Sequence, residues 1–338
     1  MKKRVSILLS ICLALACAGC AGRSGEKLTF TNPIADRGND PWVILQGGTY
    51  YYCYSGNGIQ VAAFQNLPEL GSAKGVTVWQ PPADTAYSKE LWAPELHYID
   101  GEWYIYVAAD DGDNQNHRMY VLKGTSQDPT QPFTFVGKIA PPEDFWAIDG
   151  TVLRHNGKLY FVWSGWEGTA NVWQDLYIAP MRDPCTISGS RVRISTPEYG
   201  WERVGNPMVN EGPVAVSHNG TVHIVYSASG SWTDDYCLGL LTLTGDDPLD
   251  PKAWEKAPKP ILSKSDAVFG PGHCSFTTSP DGKDTFVVYH ANTESGTGWG
   301  GRKVFAQPVE WDKDNKPVLG SPVQPGVEIK IGENTSSR

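Results

Sequence analysis

Five segments of the chain share one pattern, and this repeat limits the fold more than any other feature of the sequence. Each segment opens on a polar residue, runs through a short apolar-leaning stretch, turns at a glycine and returns through aromatic and β-branched residues. Glycine supplies the positive φ that tight turns require, so each segment predicts a β-hairpin. The opening residues are Asp40, Glu95, Asp149, Glu211 and His273, and the turn glycines are Gly48, Gly101, Gly157, Gly220 and Gly282.

The spacing of these segments predicts a closed repeat architecture. Their opening residues are 55, 54, 62 and 62 positions apart, which leaves room in each period for two further strands. Long helical periodicity is absent from the chain. A period of this size with one hairpin in each unit is typical of four-stranded blades. We therefore predict an all-β, five-bladed β-propeller with its active site at one end of the central channel.

The first 19 residues have the pattern of an export signal, with a basic start, an apolar run and a small-residue ending. Ala18-Gly19-Cys20 resembles a bacterial lipobox, which predicts lipid anchoring through Cys20 at the periplasmic or cell-surface side of the envelope. Cys17 stands where such a box prefers an aliphatic residue, so ordinary secretion stays open. We predict a signal over residues 1–19, a tether over 20–27 and a single catalytic propeller over 28–338.

The charge and the cysteines exclude several classes of function. Removing residues 1–19 takes three of the 28 basic side chains and none of the 37 acidic ones, so the net charge moves from −9 to −12. An acidic surface repels phosphate backbones and anionic lipids, which argues against nucleic acid and against membrane contact beyond the anchor. The four cysteines that remain show no C-x-x-C spacing, so zinc is not indicated and a disulfide stays open: Cys53, Cys185, Cys237 and Cys274.

The five opening residues are expected to meet, because the first strand of every blade lines the axis of a propeller. Four carboxyls and one imidazole around a single pit indicate function, since burying like charges together costs several kcal/mol. Paired carboxylates are the groups that glycosidic hydrolysis uses. Glu211 suits the proton donor, because a glutamate reaches further than an aspartate and the adjacent Gly212-Pro213 leaves its side chain unobstructed.

Tryptophans near the blade openings predict sugar binding, because the C–H faces of sugars stack on aromatic planes. We predict substrate contact for Trp42, Trp92, Trp146 and Trp166, with blade packing as the alternative for each, and leave Trp173, Trp232 and Trp299 undecided. Core packing is expected for Trp103, Trp163 and Trp254. Arg302 could bind sugar hydroxyls, hold a carboxylate ionised or lie on the surface.

His273 leaves three roles open: binding substrate, ligating an ion on the axis, or bonding its neighbours. A lone imidazole is a poor metal site unless waters complete the shell. The chain contains no motif typical of zinc proteases, EF-hands, serine hydrolases or nucleotide binding. No cofactor is therefore predicted as a requirement, with calcium or another ion at the axis as an option.

Together the motifs NPIADRGNDPWV, LWAPELHYIDGEWYIYVAA, WAIDGTVLRHNGKLYFVWSG, NEGPVAV and GPGHCSF resemble glycoside hydrolase family 43, from Asn32 to Trp311. The resemblance implies a five-bladed propeller that hydrolyses arabinose- or xylose-containing glycans with inversion. It implies that Asp40 is the general base, Glu211 the general acid and Asp149 the carboxylate that tunes and orients the acid. An inverting pair implies carboxyls roughly 6.5–9.5 Å apart.

The resemblance also implies roles for three further residues and a substrate. Glu95 would bind substrate or shape the pit, His273 would hold an ion through waters, and Arg302 would line the terminal-sugar subsite. The chain is most similar to exo-acting α-L-arabinofuranosidases that trim α-1,5-linked arabinan, which predicts a monomeric enzyme acting on plant cell-wall polysaccharide. β-Xylosidase, endo-arabinanase and arabinoxylan arabinofuranosidase activities stay open within the family. A noncatalytic carbohydrate-binding propeller and a fructose-processing enzyme are the alternatives from other classes.

Overall fold

A computed structural model describes residues 28–332 of the chain, and these residues form an all-β structure, as predicted. The predicted signal over residues 1–19, the tether over 20–27 with Cys20, and the last six residues lie outside the described part. Within residues 28–332 no helix is both long and apolar enough to cross a membrane. The helices there are short 3-10 turns: Leu67–Ser72, Asn114–Asn116, Gly200–Glu202, Pro251–Ala253 and Gly298–Gly301.

The first two groups of strands are antiparallel four-stranded sheets in sequence order. After β1 (Thr29–Thr31), the first sheet contains β2 (Trp42–Gln46), β3 (Thr49–Gly56), β4 (Gly58–Phe64) and β5 (Val76–Trp79). The second contains β6 (Lys89–Ile99), β7 (Glu102–Asp110), β8 (Arg118–Gly124) and β9 (Phe133–Lys138).

The next two groups form one nine-stranded sheet, because β12 and β15 pair in parallel over two residue pairs. The third group contains β10 (Ala147–His155), β11 (Lys158–Gly165) and β12 (Trp173–Asp183), with β13 (Thr186–Ile187) and β14 (Val192–Ser195) both paired to β12. The fourth contains β15 (Met208–His218), β16 (Thr221–Ala228), β17 (Cys237–Leu243) and β18 (Trp254–Lys256).

The last group is a four-stranded antiparallel sheet. Its strands are β19 (Phe269–Thr278), β20 (Thr285–Asn292), β21 (Lys303–Trp311) and β22 (Pro317–Val318). The final strand, β23 (Glu328–Lys330), pairs antiparallel with β1. This pairing ties residues near both ends of the described chain beside each other.

The five predicted hairpins are confirmed, and so is the chemistry of their turns. The first two strands of every group pair antiparallel, and all five predicted turn glycines have positive φ, between 71° and 86°. In the first four groups the preceding residue also has positive φ, which gives the type I′ turn that matches strand twist: Gly47, Asp100, Asn156 and Asn219.

The first strands of the five groups contact one another in a closed cycle, in the order β2, β6, β10, β15, β19 and back to β2. Apolar clusters fill the space between neighbouring groups. The tryptophans predicted for the core are buried there: Trp103, Trp163 and Trp254. All four cysteines of the described chain are free, and Cys53, Cys237 and Cys274 are buried. The cycle of first strands brings their N-terminal ends together at one place.

Candidate active site

The N-terminal ends of the first strands surround a pocket of about 460 Å³. Seven residues predicted from the sequence line this pocket: Asp40, Trp92, Trp146, Asp149, Glu211, His273 and Arg302. The other lining residues are Asn39, Glu90, Asn114, Ile148, Asn171, Gln174, Pro207, Ser231, Trp232 and Trp299. Three predicted residues, Trp42, Glu95 and Trp166, lie outside the lining.

Local backbone conformation aims the polar residues into the pocket. Asp40, Asp149 and His273 have φ of 46°, 56° and 47°, and Gly212, directly after Glu211, has φ of 52°. The strand register shifts beside Asp149, Glu211 and His273, so each lies at a β-bulge. Bulges change the direction of side chains. Positive φ at a residue other than glycine is energetically unfavourable, and such residues are concentrated at functional sites. These strands therefore depart from regular pairing where they meet the pocket.

The Asp40 carboxyl lies among positively charged and imidazole groups. Its Oδ1 is 3.2 Å from His273 Nδ1, 3.4 Å from His290 Nδ1 and 3.7 Å from Arg302 Nη1. Burial raises the pKa of Asp40, but His273, His290 and Arg302 together hold it well below its usual range. The Asp40 carboxyl is therefore ionised at neutral pH. Asn39 donates a further hydrogen bond of 2.8 Å to its Oδ2.

Glu211 has the opposite environment. Its side chain is buried, and the phenol of Tyr236 donates a 2.8 Å hydrogen bond to its Oε1. Burial raises the pKa of Glu211 to about 7, with a further increase from the charge of Asp40, while the Tyr236 hydrogen bond and Arg302 oppose the rise. A glutamate with this pKa holds its proton in a large fraction of molecules near neutrality. It can therefore serve as a general acid.

Asp149 joins the site through the backbone next to Glu211. Its Oδ2 accepts a 3.0 Å hydrogen bond from the Gly212 N–H. Burial and the nearby charges of Glu211 and Asp40 raise the pKa of Asp149 well above its usual range, although the Gly212 N–H opposes the rise. The bond connects β10 to the bulge in β15 and so fixes the backbone that carries Glu211.

His273 and Arg302 also bind partners other than the pocket carboxyls. The His273 backbone N–H donates to Ser227 Oγ at 2.7 Å, and Arg302 Nη2 donates to the Ser231 carbonyl at 3.1 Å. Burial lowers the pKa of His273, so this imidazole is mostly neutral at pH 7. Within residues 28–332 no three His, Cys, Asp or Glu side chains are placed to hold a metal ion together. An ion held through waters at His273 stays a prediction.

The three predicted residues outside the lining lie behind it. The Trp42 indole packs against His97 and donates to the Leu96 carbonyl at 2.6 Å. Trp166 is buried and stacks on Trp146, with 4.7 Å between ring centroids. Both tryptophans therefore support neighbouring residues from behind.

Glu95 is buried and lies 2.8 Å from His97 Nε2. Burial, together with the charge of Asp149, raises its pKa well above the usual range. On β6 the left-handed residues are Glu90 and Ala93, five and two positions before Glu95, whereas on β15 the left-handed Gly212 directly follows Glu211. The two glutamates therefore do not occupy matching positions, which explains why one reaches the pocket and the other lies behind it.

Glu90 and Asn114 line the pocket but were missed by sequence reasoning. Glu90 Oε2 accepts a 3.1 Å hydrogen bond from Trp92 Nε1, and the Asn114 carbonyl accepts one of 2.7 Å from Trp146 Nε1. Trp92 also stacks on the buried His117, with 4.0 Å between ring centroids. Glu90 directly precedes the Leu-Trp-Ala-Pro motif, and that proximity was the only signal in the sequence that could have identified it.

The site thus contains one ionised carboxyl, Asp40, and two carboxyls whose pKa values are raised, Glu211 and Asp149, in a pocket with tryptophan walls. Titratable groups whose environments push their pKa values apart identify an acid and a base. Such a pair can activate water with one member and protonate a departing oxygen with the other.

Comparison with known proteins agrees with this chemistry. The sequence profile described as glycosyl hydrolases family 43 matches residues 30–317. An extracellular exo-α-(1→5)-L-arabinofuranosidase of Streptomyces avermitilis is 37% identical over 319 residues, which cover 90% of this chain and 66% of that protein. Alpha-L-arabinofuranosidase 43 of Humicola insolens is 34% identical, covering 96% of this chain and 71% of that protein. The crystal structure of an α-L-arabinofuranosidase from Lactobacillus brevis matches with a TM-score of 0.83 and 34% identity, over 88% of this chain and 98% of the other.

Proposed function

The chain belongs to family 43 of the glycosyl hydrolases, and from that premise we propose that it releases single L-arabinose units from the nonreducing end of α-1,5-linked arabinan or arabino-oligosaccharides. The Streptomyces avermitilis relative is named for this activity, but this chain spans about two thirds of its length. The residues of the pocket supply independent support for the activity.

One observation carries the proposal: Asp40 and Glu211 have opposite protonation preferences in the same pocket. The pKa of Asp40 is held well below its usual range, whereas the pKa of Glu211 is raised to about 7. Near neutral pH the Asp40 carboxyl is ionised, while Glu211 keeps its proton in about half of the molecules. This is the division of labour that an inverting glycosidase needs.

In the proposed mechanism, Asp40 accepts a proton from the water that attacks the anomeric carbon. Glu211 donates its proton to the departing glycosidic oxygen, so that bond breaks as the new carbon–oxygen bond forms on the opposite face. Asp149 holds the Gly212 N–H and thereby orients Glu211. Arg302 and His273 keep Asp40 ionised and contact the sugar in the pocket.

Trp92 and Trp146 form aromatic walls for the terminal sugar in this proposal, since both line the pocket. We assign Trp42, Glu95 and Trp166 to support from behind the walls. The wall positions are set by contacts with the segment between β7 and β8, because His117 stacks on Trp92 and the Asn114 carbonyl binds Trp146.

We further propose that the five strand groups are the blades of one five-bladed propeller, and that this propeller is a single catalytic domain. The closed cycle of first strands supports the proposal, since such a cycle is expected around a propeller axis. We also propose export of a monomeric enzyme. The amino-terminal pattern and the extracellular Streptomyces relative support export, while anchoring through Cys20 rests on the lipobox pattern.

The test is a product analysis with linear α-1,5-arabino-oligosaccharides, xylo-oligosaccharides and arabinoxylan. Wild-type protein is expected to release only arabinose, one unit at a time, and Glu211→Gln to lose this activity by roughly 10²–10⁴-fold. Arabino-oligosaccharides of mixed length would instead identify an endo-arabinanase, and xylose a β-xylosidase. Release of arabinose from arabinoxylan alone would identify a side-chain arabinofuranosidase. Binding without any product would identify a noncatalytic carbohydrate-binding protein.

A further inference from the structure

Two exposed tryptophans stand at the mouth of the pocket. Trp299 is 63% exposed and Trp232 is 36% exposed, and both line the pocket. Their rings lie edge to face, with 6.1 Å between centroids and an interplanar angle of 80°. Exposed aromatic surface is unfavourable in water, so a pair of such rings beside a catalytic pocket points to a ligand.

Backbone and side-chain contacts hold the Trp232 ring in place. A Cβ atom at Gly230 would lie 2.6 Å from the Trp232 ring, and one at Gly205 would lie 3.1 Å from it. The indole therefore lies directly against glycine backbone, where any larger residue would displace it. Packing against these two glycines therefore fixes the position of the Trp232 ring, although the ring is partly exposed.

The Trp299 ring is fixed through Ser231. Trp299 Nε1 donates a 3.1 Å hydrogen bond to the Ser231 hydroxyl, while the Ser231 carbonyl accepts one of 3.1 Å from Arg302. The loop that carries Trp299 is anchored as well, because the Gly296 N–H donates to Asp234 Oδ1 at 2.9 Å. One residue thus links the tryptophan to the arginine that contacts Asp40.

We propose that Trp232 and Trp299 form the subsite for the second arabinose residue, on the leaving-group side of the bond that is cleaved. This inference rests on the proposed exo activity. Asp149 and Glu211 line the pocket and are buried, so we expect the sugar to be released to lie deep in the pocket. The remainder of the substrate leaves through the mouth, where these two rings stand. Stacking there determines preference for oligosaccharides over short glycosides.

The test compares two substrates that differ only on the leaving-group side: methyl α-L-arabinofuranoside and linear α-1,5-arabinotriose. The measured quantity is the ratio of kcat/KM for the triose to kcat/KM for the methyl glycoside. Trp299→Ala is expected to lower this ratio roughly fivefold to tenfold, mainly through KM, because a stacking contact is lost. Trp232→Ala is also expected to lower this ratio.

Two matched variants separate stacking from general damage. Trp299→Phe keeps an aromatic face and is expected to keep the ratio within about twofold of wild type. Ser231→Ala removes the hydroxyl that binds Trp299 but keeps the carbonyl that binds Arg302, so the ratio is expected to fall by less than in Trp299→Ala. Thermal unfolding of each variant verifies that it folds.

The outcomes distinguish this inference from the proposed function. If Trp299→Ala lowers kcat/KM equally for both substrates, or if Trp299→Ala and Trp232→Ala both leave the ratio unchanged, the subsite is wrong. Neither result would contradict the proposed arabinofuranosidase activity. A wild-type protein that hydrolyses neither substrate would overturn the proposed function, and the subsite with it.

Discussion

The phenol of Tyr236 donates a 2.8 Å hydrogen bond to Glu211 Oε1, and both side chains are buried. This bond favours the ionised form of Glu211 and so opposes the effect of burial on its pKa. Tyr236 also stacks on His290, whose Nδ1 accepts the Asp40 backbone N–H at 3.1 Å. One buried ring therefore connects the proposed acid with the surroundings of the proposed base.

Replacing Tyr236 with phenylalanine keeps the stack on His290 and removes the donor to Glu211. The pKa of Glu211 is expected to rise above its wild-type value of about 7, because the ionised form loses a hydrogen bond. The protonated acid then persists to higher pH, so the basic limb of the kcat/KM profile should move upward. Tyr289→Phe is the matched control, since it removes a buried phenol bonded to Gln307. A basic limb that stays in place or moves downward in Tyr236→Phe would contradict the assignment.

The wild-type profile of kcat/KM against pH should be asymmetric. Glu211 must be protonated to act, so activity is expected to fall as pH rises through about 7. Asp40 must be ionised, and its pKa lies well below the usual range, so activity should persist into moderately acidic solution. The measurement is initial rate with a methyl arabinofuranoside at low substrate concentration. A profile that falls on the acidic side near pH 5 to 6 and stays flat above pH 8 would be incompatible with these roles.

Gly212→Ala should damage the site, whereas Gly220→Ala should affect only stability. Both glycines have positive φ, so an alanine costs roughly 1–2 kcal/mol of unfolding free energy at either position. A Cβ at Gly212 would also lie 3.1 Å from His273 Nδ1, whereas one at Gly220 would contact nothing within 4 Å. Both variants should therefore lower Tm, but only Gly212→Ala should also lower kcat. Equal kcat for the two variants would show that this contact does not matter.

Hydrolysis should invert the configuration of the released sugar. An inverting mechanism requires the Asp40 and Glu211 carboxyls to lie roughly 6.5–9.5 Å apart, which leaves room for a water between base and substrate. From an α-linked substrate the first product is then the β-anomer, which proton NMR resolves at early times before mutarotation. An α-anomer as the first product would require a retaining mechanism and a different role for Asp40.

Sequence reasoning reached the hairpins because their signals are local. Alternating apolar residues and a glycine at each turn determine which segments pair with their neighbours, and the structure confirms all five turns. The spacing of those hairpins then predicted that Asp40, Glu95, Asp149, Glu211 and His273 would meet, and all of them except Glu95 line the pocket.

The tertiary structure decided which of the other predicted side chains reach that pocket. Side chains alternate between the two faces of a strand, so a bulge that shifts the pairing by one residue redirects everything near it. Glu95 lies behind the lining for this reason, and Trp166 lies behind Trp146.

The sequence by itself therefore determined the all-β class, the repeat and three of the four carboxyls that line the pocket, because each follows from the periodicity of the chain. Only the folded chain decided the partners that set their charge. His290 lies 250 positions from Asp40 and accepts a hydrogen bond from the Asp40 backbone N–H. Tyr236 lies 25 positions from Glu211 and donates a hydrogen bond to the Glu211 carboxyl. Such contacts depend on how separate sheets pack around the pocket, and no local pattern encodes that packing.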